Sequence, residues 1–129
     1  MVYLDSSALV KLIVTEPETA ALRRYLREHP ERVSSALARV EVCRALRRAG
    51  VTEATLRRAD QMLGRIALVA MDDPLLRAAA ALSPSGLRSL DAVHLATALS
   101  LDGLDAVVTY DRRLDAAAAQ TGRVVASPV

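Results

Sequence analysis

Three aspartates occupy positions where a carboxylate can do more than solvate a surface. Asp5 ends the apolar run Val2–Leu4 and leads into Ser6-Ser7, and Asp111 follows the β-branched run Val107, Val108, Thr109. In an open parallel sheet, ligands bind beyond the carboxyl ends of the strands, so both acids point to a functional edge. Each also reads as a helix N-cap that accepts hydrogen bonds from free backbone amides. Asp91 opens the segment LDAVHLATALSL, apolar nearly all round and therefore a helix that should be buried. Asp91, His94 and Thr97 recur every three residues down one side of it, and an ionised carboxylate on such a stripe must be paired, hydrogen-bonded or metal-bound. The plainer reading is a first-turn acid meeting the helix dipole behind a Ser89 cap, with His94 a hydrogen-bonded core residue. Periodicity makes nothing of Glu41. Ala36, Val40, Cys43 and Leu46 share one face of the helix expected over 36–49, and Glu41 falls nearly opposite, a solvated acid within reach of Arg44.

The elements that must position these residues alternate. A strand in MVYLD passes into a helix over 6–11, and Pro17 at a first-turn position starts a second helix that His29-Pro30 stops. A short strand over 32–35 precedes the helix closed by Gly50, and Thr52 caps another that runs to Gly64. The apolar run 66–71 is of strand length. Asp72-Asp73-Pro74 opens an Ala-rich helix, the Asp91 helix runs on to Leu101, and Asp102-Gly103 turns into the strand before Asp111. A last helix to Gln120 and a strand-like segment over 123–126 complete the pattern. Short apolar strands alternating with helices predict an α/β fold, a parallel sheet covered by helices on both faces. The amphipathic helices over 18–27 and 53–63 offer apolar residues either to the core or to a partner.

Length and composition narrow the classes. The 129 residues suit a single domain over 1–129, and 52% apolar with 25% charged residues suits a compact globular one. Tyr3, Tyr25 and Tyr110 are the only aromatics, so stacking of bases on aromatic platforms is poorly supported. Net charge is only +2, but Lys11 is the one lysine among seventeen basic residues, and arginine favours bidentate contact with phosphate or carboxylate. A GC-rich genome would give the same bias. Cys43 stands alone, which rules out an internal disulfide and suits a reducing compartment. No run is apolar for the ~18 residues that cross a membrane, and a signal-peptide pattern is missing, so a cytoplasmic location is expected.

LDSSALVKL, RVEVCRAL, LRSLDAVHLATAL and VVTYDRRL, in that order and with an acid in each, resemble the PIN-domain ribonucleases. The DAVHLATA segment is most similar to the VapC-type toxins of bacterial toxin–antitoxin pairs. The resemblance covers essentially the whole chain and implies a three-layer sandwich with a five-stranded parallel sheet between helices. It also implies an acidic quartet of Asp5, Glu41, Asp91 and Asp111, with Asp5 and Asp91 as direct metal ligands and Ser6 and Thr109 assisting. Asp115, one turn beyond Asp111, reads as a surface acid.

Four carboxylates at one site repel one another unless cations neutralise them, and magnesium, with manganese as a substitute, suits oxygen donors that leave room for water and phosphate. With no Cys/His cluster, zinc is disfavoured. The implied activity is endoribonucleolytic hydrolysis by an activated water, leaving 3′-hydroxyl and 5′-phosphate ends. Glu41 would position or deprotonate the water, Asp111 would shape a second metal position or outer shell, and Arg88 or Arg112 would hold flanking phosphates. The implied partners are RNA, a VapB-like antitoxin and a second copy of the chain in a homodimer. Other readings are an RNA-processing nuclease that is not a toxin and a PIN-like module that binds without catalysis. A phosphoreceiver domain would want adjacent acids near the first strand and a late lysine, and a haloacid-dehalogenase-type phosphatase would want an Asp where Ser7 stands.

Overall fold

A computed structural model describes residues 1–129. Five parallel strands form one sheet in the order β3-β2-β1-β4-β5. They are β1 (Val2–Leu4), β2 (Arg32–Ser35), β3 (Ala67–Val69), β4 (Ala106–Val108) and β5 (Val125–Ala126). Seven helices connect and cover them: α1 (Ser6–Ile13), α2 (Thr19–Glu28), α3 (Ala38–Arg48), α4 (Glu53–Leu63), α5 (Asp73–Ala80), α6 (Ser89–Leu99) and α7 (Arg112–Gln120). The expected five-stranded α/β sandwich is present.

The alternation of side chains along the strands sorts the core into two layers. Val2, Leu4, Ala106 and Val108 face the layer of α1 to α4, where they meet Leu9, Leu22, Leu46 and Leu63. Tyr3, Val33 and Val107 face the opposite layer, against Leu95 and Ala98 of α6 and Leu114 of α7. β1 and β4, at the centre, are buried along their whole length. The apolar faces of α2 and α4 go into this core through Leu22, Leu26, Ala59 and Leu63 rather than standing free for a partner. The run 66–71 forms only the short edge strand β3, paired on one side and partly exposed.

The chain leaves β1 toward β2 on one side, while β4 lies on the other. The crevice where the connections part, beyond the carboxyl ends of β1 and β4, is where an open parallel sheet binds ligands. Asp5 follows β1 and Asp111 follows β4 within three residues of its end.

Three local expectations are corrected. α3 begins at Ala38, not Ala36, and buries Ala38, Val42 and Leu46 at intervals of four, which leaves Val40 55% exposed. The buried face is therefore rotated from the one expected through Val40, and Glu41, about 100° from Val42, lies on its shoulder beside α1 instead of opposite the core. Ser89 is the first residue of α6 rather than its cap; Arg88 takes the cap position with no side-chain bond. Pro17 lies in the turn before α2, and Thr19 secures that turn by accepting from the Glu16 amide and donating to the Lys11 carbonyl.

The rotated face of α3 is directly testable. Leu46→Ala is expected to lose about 2–5 kcal/mol by urea denaturation, while Val40→Ser changes stability by less than about 0.5 kcal/mol.

Candidate active site

Asp5 is the deepest of the acids, 3% exposed. It caps α1: Oδ1 accepts from the Ala8 amide at 3.0 Å and from Ser7 Oγ at 2.7 Å, and Oδ2 accepts from Thr109 Oγ1 at 2.6 Å. Ser7 Oγ in turn accepts from the Tyr110 amide, and Thr109 Oγ1 accepts from the Asp111 amide. A carboxylate offers about four acceptor sites, so these three bonds leave one site open, on Oδ2. Burial pushes the Asp5 carboxyl above its ordinary range, against the pull of Thr109, Ser7 and Ala8.

Glu41 does not turn outward to Arg44. Its Oε1 accepts from Ser6 Oγ at 2.7 Å and from His94 Nε2 at 2.5 Å, while Oε2 accepts nothing from the protein. Behind it, His94 Nδ1 lies 2.6 Å from the hydroxyl of Tyr3. An anionic Glu41 can only accept, so Nε2–H donates to it. The other ring nitrogen, Nδ1, is paired with the Tyr3 hydroxyl. Burial keeps Tyr3 protonated by pushing its pKa far above the usual value. Burial also pushes Glu41 up, but the His94 bond and charge, with Ser6, outweigh it and hold Glu41 below the ordinary carboxylate range. His94 is the hydrogen-bonded core residue that its sequence context suggested. Its bond to Glu41 was not read from the sequence, although the stripe of Asp91, His94 and Thr97 carried the signal.

Asp91, in the first turn of α6, is half-buried and accepts no hydrogen bond. Burial and the nearby Asp111 push it up; His94 pulls it down, Glu41 pushes, and Arg88 pulls. Asp111 caps α7, its Oδ1 accepting from the Arg113 and Leu114 amides at 2.8 and 3.3 Å, which leaves Oδ2 free. Asp115 is partly covered and makes no side-chain hydrogen bond, while Arg112 is exposed. The four acids thus share one sheet edge, and Asp91 feels both Asp111 and Glu41. None of the four pairs with an Arg or Lys.

That donor set fits a hard dication. Every acid keeps an acceptor site free, all the donors are oxygens, and a buried carboxylate without a cation is costly. No three of them converge as a ready-made cage, and magnesium needs none, since one or two carboxylates suffice when water and phosphate complete its shell. Beside Glu41, a cleft of about 410 Å³ is lined by Ser6, Ser7, Lys11, Arg48 and Tyr110 among others.

The PIN-domain family model matches residues 2–120. The chain belongs to the PIN-domain family. This PIN domain is 49% identical to ribonuclease VapC46 of Mycobacterium tuberculosis over 128 residues, covering 98% of this chain and 97% of that one. It is 40% identical to ribonuclease VapC47 of the same species, covering 99% and 97% of the two chains. These relatives place the PIN domain in the VapC group. The crystal structure of M. tuberculosis VapC20, a sarcin–ricin loop cleaving toxin, superposes with a TM-score of 0.76 at 18% identity over 99% of this chain and 100% of that one, a likeness of fold.

The shifts of Asp5 and Glu41 act on stability with opposite signs. A folded-state carboxyl raised above its unfolded value favours folding below the unfolded pKa, and that contribution is lost as pH rises through the folded pKa. The lowered Glu41 contributes above its unfolded pKa, and that contribution is lost as pH falls through the folded one. Asp5→Asn is therefore expected to raise the Tm of metal-free protein at neutral pH, with the gain shrinking as pH falls toward the ordinary aspartate range. Melts in chelator across pH check this, and a lower Tm for the variant at neutral pH would contradict it.

Proposed function

We propose that this PIN domain is a metal-dependent endoribonuclease, the toxic component of a type II VapBC toxin–antitoxin pair. The observation that carries the reading is Asp5: a buried carboxylate fixed by three hydrogen bonds, with one acceptor site left open and no Arg or Lys paired with it. The VapC ribonuclease relatives support the same conclusion.

Asp5 and Asp91 are the direct ligands in this reading, through the open site on Asp5 Oδ2 and the unengaged carboxylate of Asp91. Magnesium, or manganese in its place, would be held by these carboxylates and would supply Lewis-acid chemistry for phosphodiester hydrolysis. Glu41 would position or deprotonate the attacking water with Oε2, while His94 and Ser6 hold Oε1. Asp111, fixed on the α7 amides by one oxygen, serves a second metal position or the outer shell with the other. Hydrolysis leaves 3′-hydroxyl and 5′-phosphate ends.

A VapB-like antitoxin would cover this edge, and an arginine from it would find carboxylates that no Arg or Lys of the chain has claimed. A homodimer acting in the cytoplasm completes the reading. No helix is long and apolar enough to cross a membrane.

Purified protein is expected to cut RNA with magnesium or manganese and to stop when metal is chelated. Asp5→Asn and Asp91→Asn are expected to fold and to lose at least about 100-fold in rate, the loss of a few kcal/mol of transition-state stabilisation. Undiminished cleavage in chelator would sink the mechanism. Expression in a bacterial host should arrest growth, and co-expression of the cognate antitoxin should relieve the arrest. Cleavage in vitro without toxicity would point to RNA processing, and binding without cleavage would point to a non-catalytic module.

A further inference from the structure

Arg44, Arg47 and Arg48 stand together on α3, all exposed, and line by themselves a hollow of about 250 Å³. None is within ion-pairing distance of a carboxylate. Three like charges in one hollow repel, and the fold gives them no counter-charge. The dipole at the carboxyl end of α3 welcomes Arg47 and Arg48 in the last turn, but it accounts neither for Arg44 a turn earlier nor for the shared hollow. Planar guanidinium forks without internal partners match phosphate oxygens in geometry and charge.

Location makes the assignment specific. Arg48 also lines the cleft that holds Ser6, Ser7 and Glu41, so the arginine hollow adjoins the acidic edge. Arg48 follows Glu41 by seven helical positions, about 10 Å of rise, which gives the arginines the phosphates flanking the one that is cut. Lys11 cannot serve there as a free cation, because it pairs with Glu16 and Glu18. With no Trp or Phe, Tyr3 buried and Lys11 lying over the Tyr110 ring, base stacking offers little alternative grip.

We infer that Arg44, Arg47 and Arg48 form a phosphate-binding track for single-stranded RNA, leading along α3 into the Glu41 cleft. The inference rests on the ribonuclease reading above. The track reads no sequence, since phosphate contacts position a strand without identifying its bases.

The test uses the full chain carrying Asp5→Asn, so that RNA stays intact, and a fluorescein-labelled single-stranded RNA whose anisotropy is followed across salt concentrations. Adding Arg44→Ala, Arg47→Ala and Arg48→Ala is expected to weaken binding at least about tenfold and to lower the log–log salt slope by about 2. A control removing the exposed Arg24, Arg27 and Arg77 makes the same charge change elsewhere and is expected to move affinity less than about twofold. Equal behaviour of the two triple variants would overturn the track and leave long-range charge as the cause. Unchanged RNA binding, with lost binding of a polyglutamate peptide, would give the arginines to an acidic protein partner and also overturn it. If the natural chain cleaves RNA while the α3 variant binds it as its Asp5→Asn parent does, the track alone fails. If the natural chain neither binds nor cuts RNA, the ribonuclease reading fails and takes the track with it.

Discussion

One carboxylate ties the acidic edge together. Asp5 is held from three directions, by the first turn of its own helix, by Ser7 and by Thr109 at the end of the neighbouring strand. The same two hydroxyls receive the amides of Tyr110 and Asp111, so the β4–α7 turn is fixed against the β1–α1 turn through one buried anion. An unpaired charge at that depth is costly, and the surrounding donors offset only part of the cost, since the Asp5 carboxyl still lies above its ordinary range. The fold therefore accepts a local instability at the point where its two central strands end. Such a compromise is expected where a charge serves a ligand rather than the core.

Glu41 and His94 extend the arrangement through the sheet layer. Glu41 belongs to α3 on one side of the sheet, His94 to α6 on the other, and Tyr3 to the strand between them. Hydrogen bonds of 2.5 and 2.6 Å link the three in a line from the acidic edge into the core. Both layers thus help to set the position of one carboxylate. A change in the packing of α6 would be felt at Glu41 without touching the cleft.

Much of this organisation was legible in the sequence, for identifiable reasons. Strands that are apolar on both faces, the Thr52, Asp72 and Asp111 caps and the Gly50 stop are local signals, and the elements formed close to where they pointed. Asp5 was legible because it joins a buried strand to a helix, and Asp91 because it heads a helix with few other polar residues. Glu41 was not, because its environment depends on the phase of α3. Starting that helix two residues later turns Val40 to solvent and brings Glu41 onto the shoulder beside Ser6. Periodicity fixes spacing well and phase poorly when Ala, Val and Cys compete for the inner face. The bond between Glu41 and His94 joins residues 53 positions apart, so the stripe on α6 marks His94 as needing a partner without saying which.

The buried tyrosine has a further use. The chain has no tryptophan, and of its three tyrosines only Tyr3 is fully enclosed, its hydroxyl against His94 and its ring near edge-on to the imidazole at 72°. Tyr25 and Tyr110 are partly open to solvent. Tyr3 therefore places a near-ultraviolet chromophore two hydrogen bonds from Glu41, a built-in optical probe of the acidic edge that needs no label.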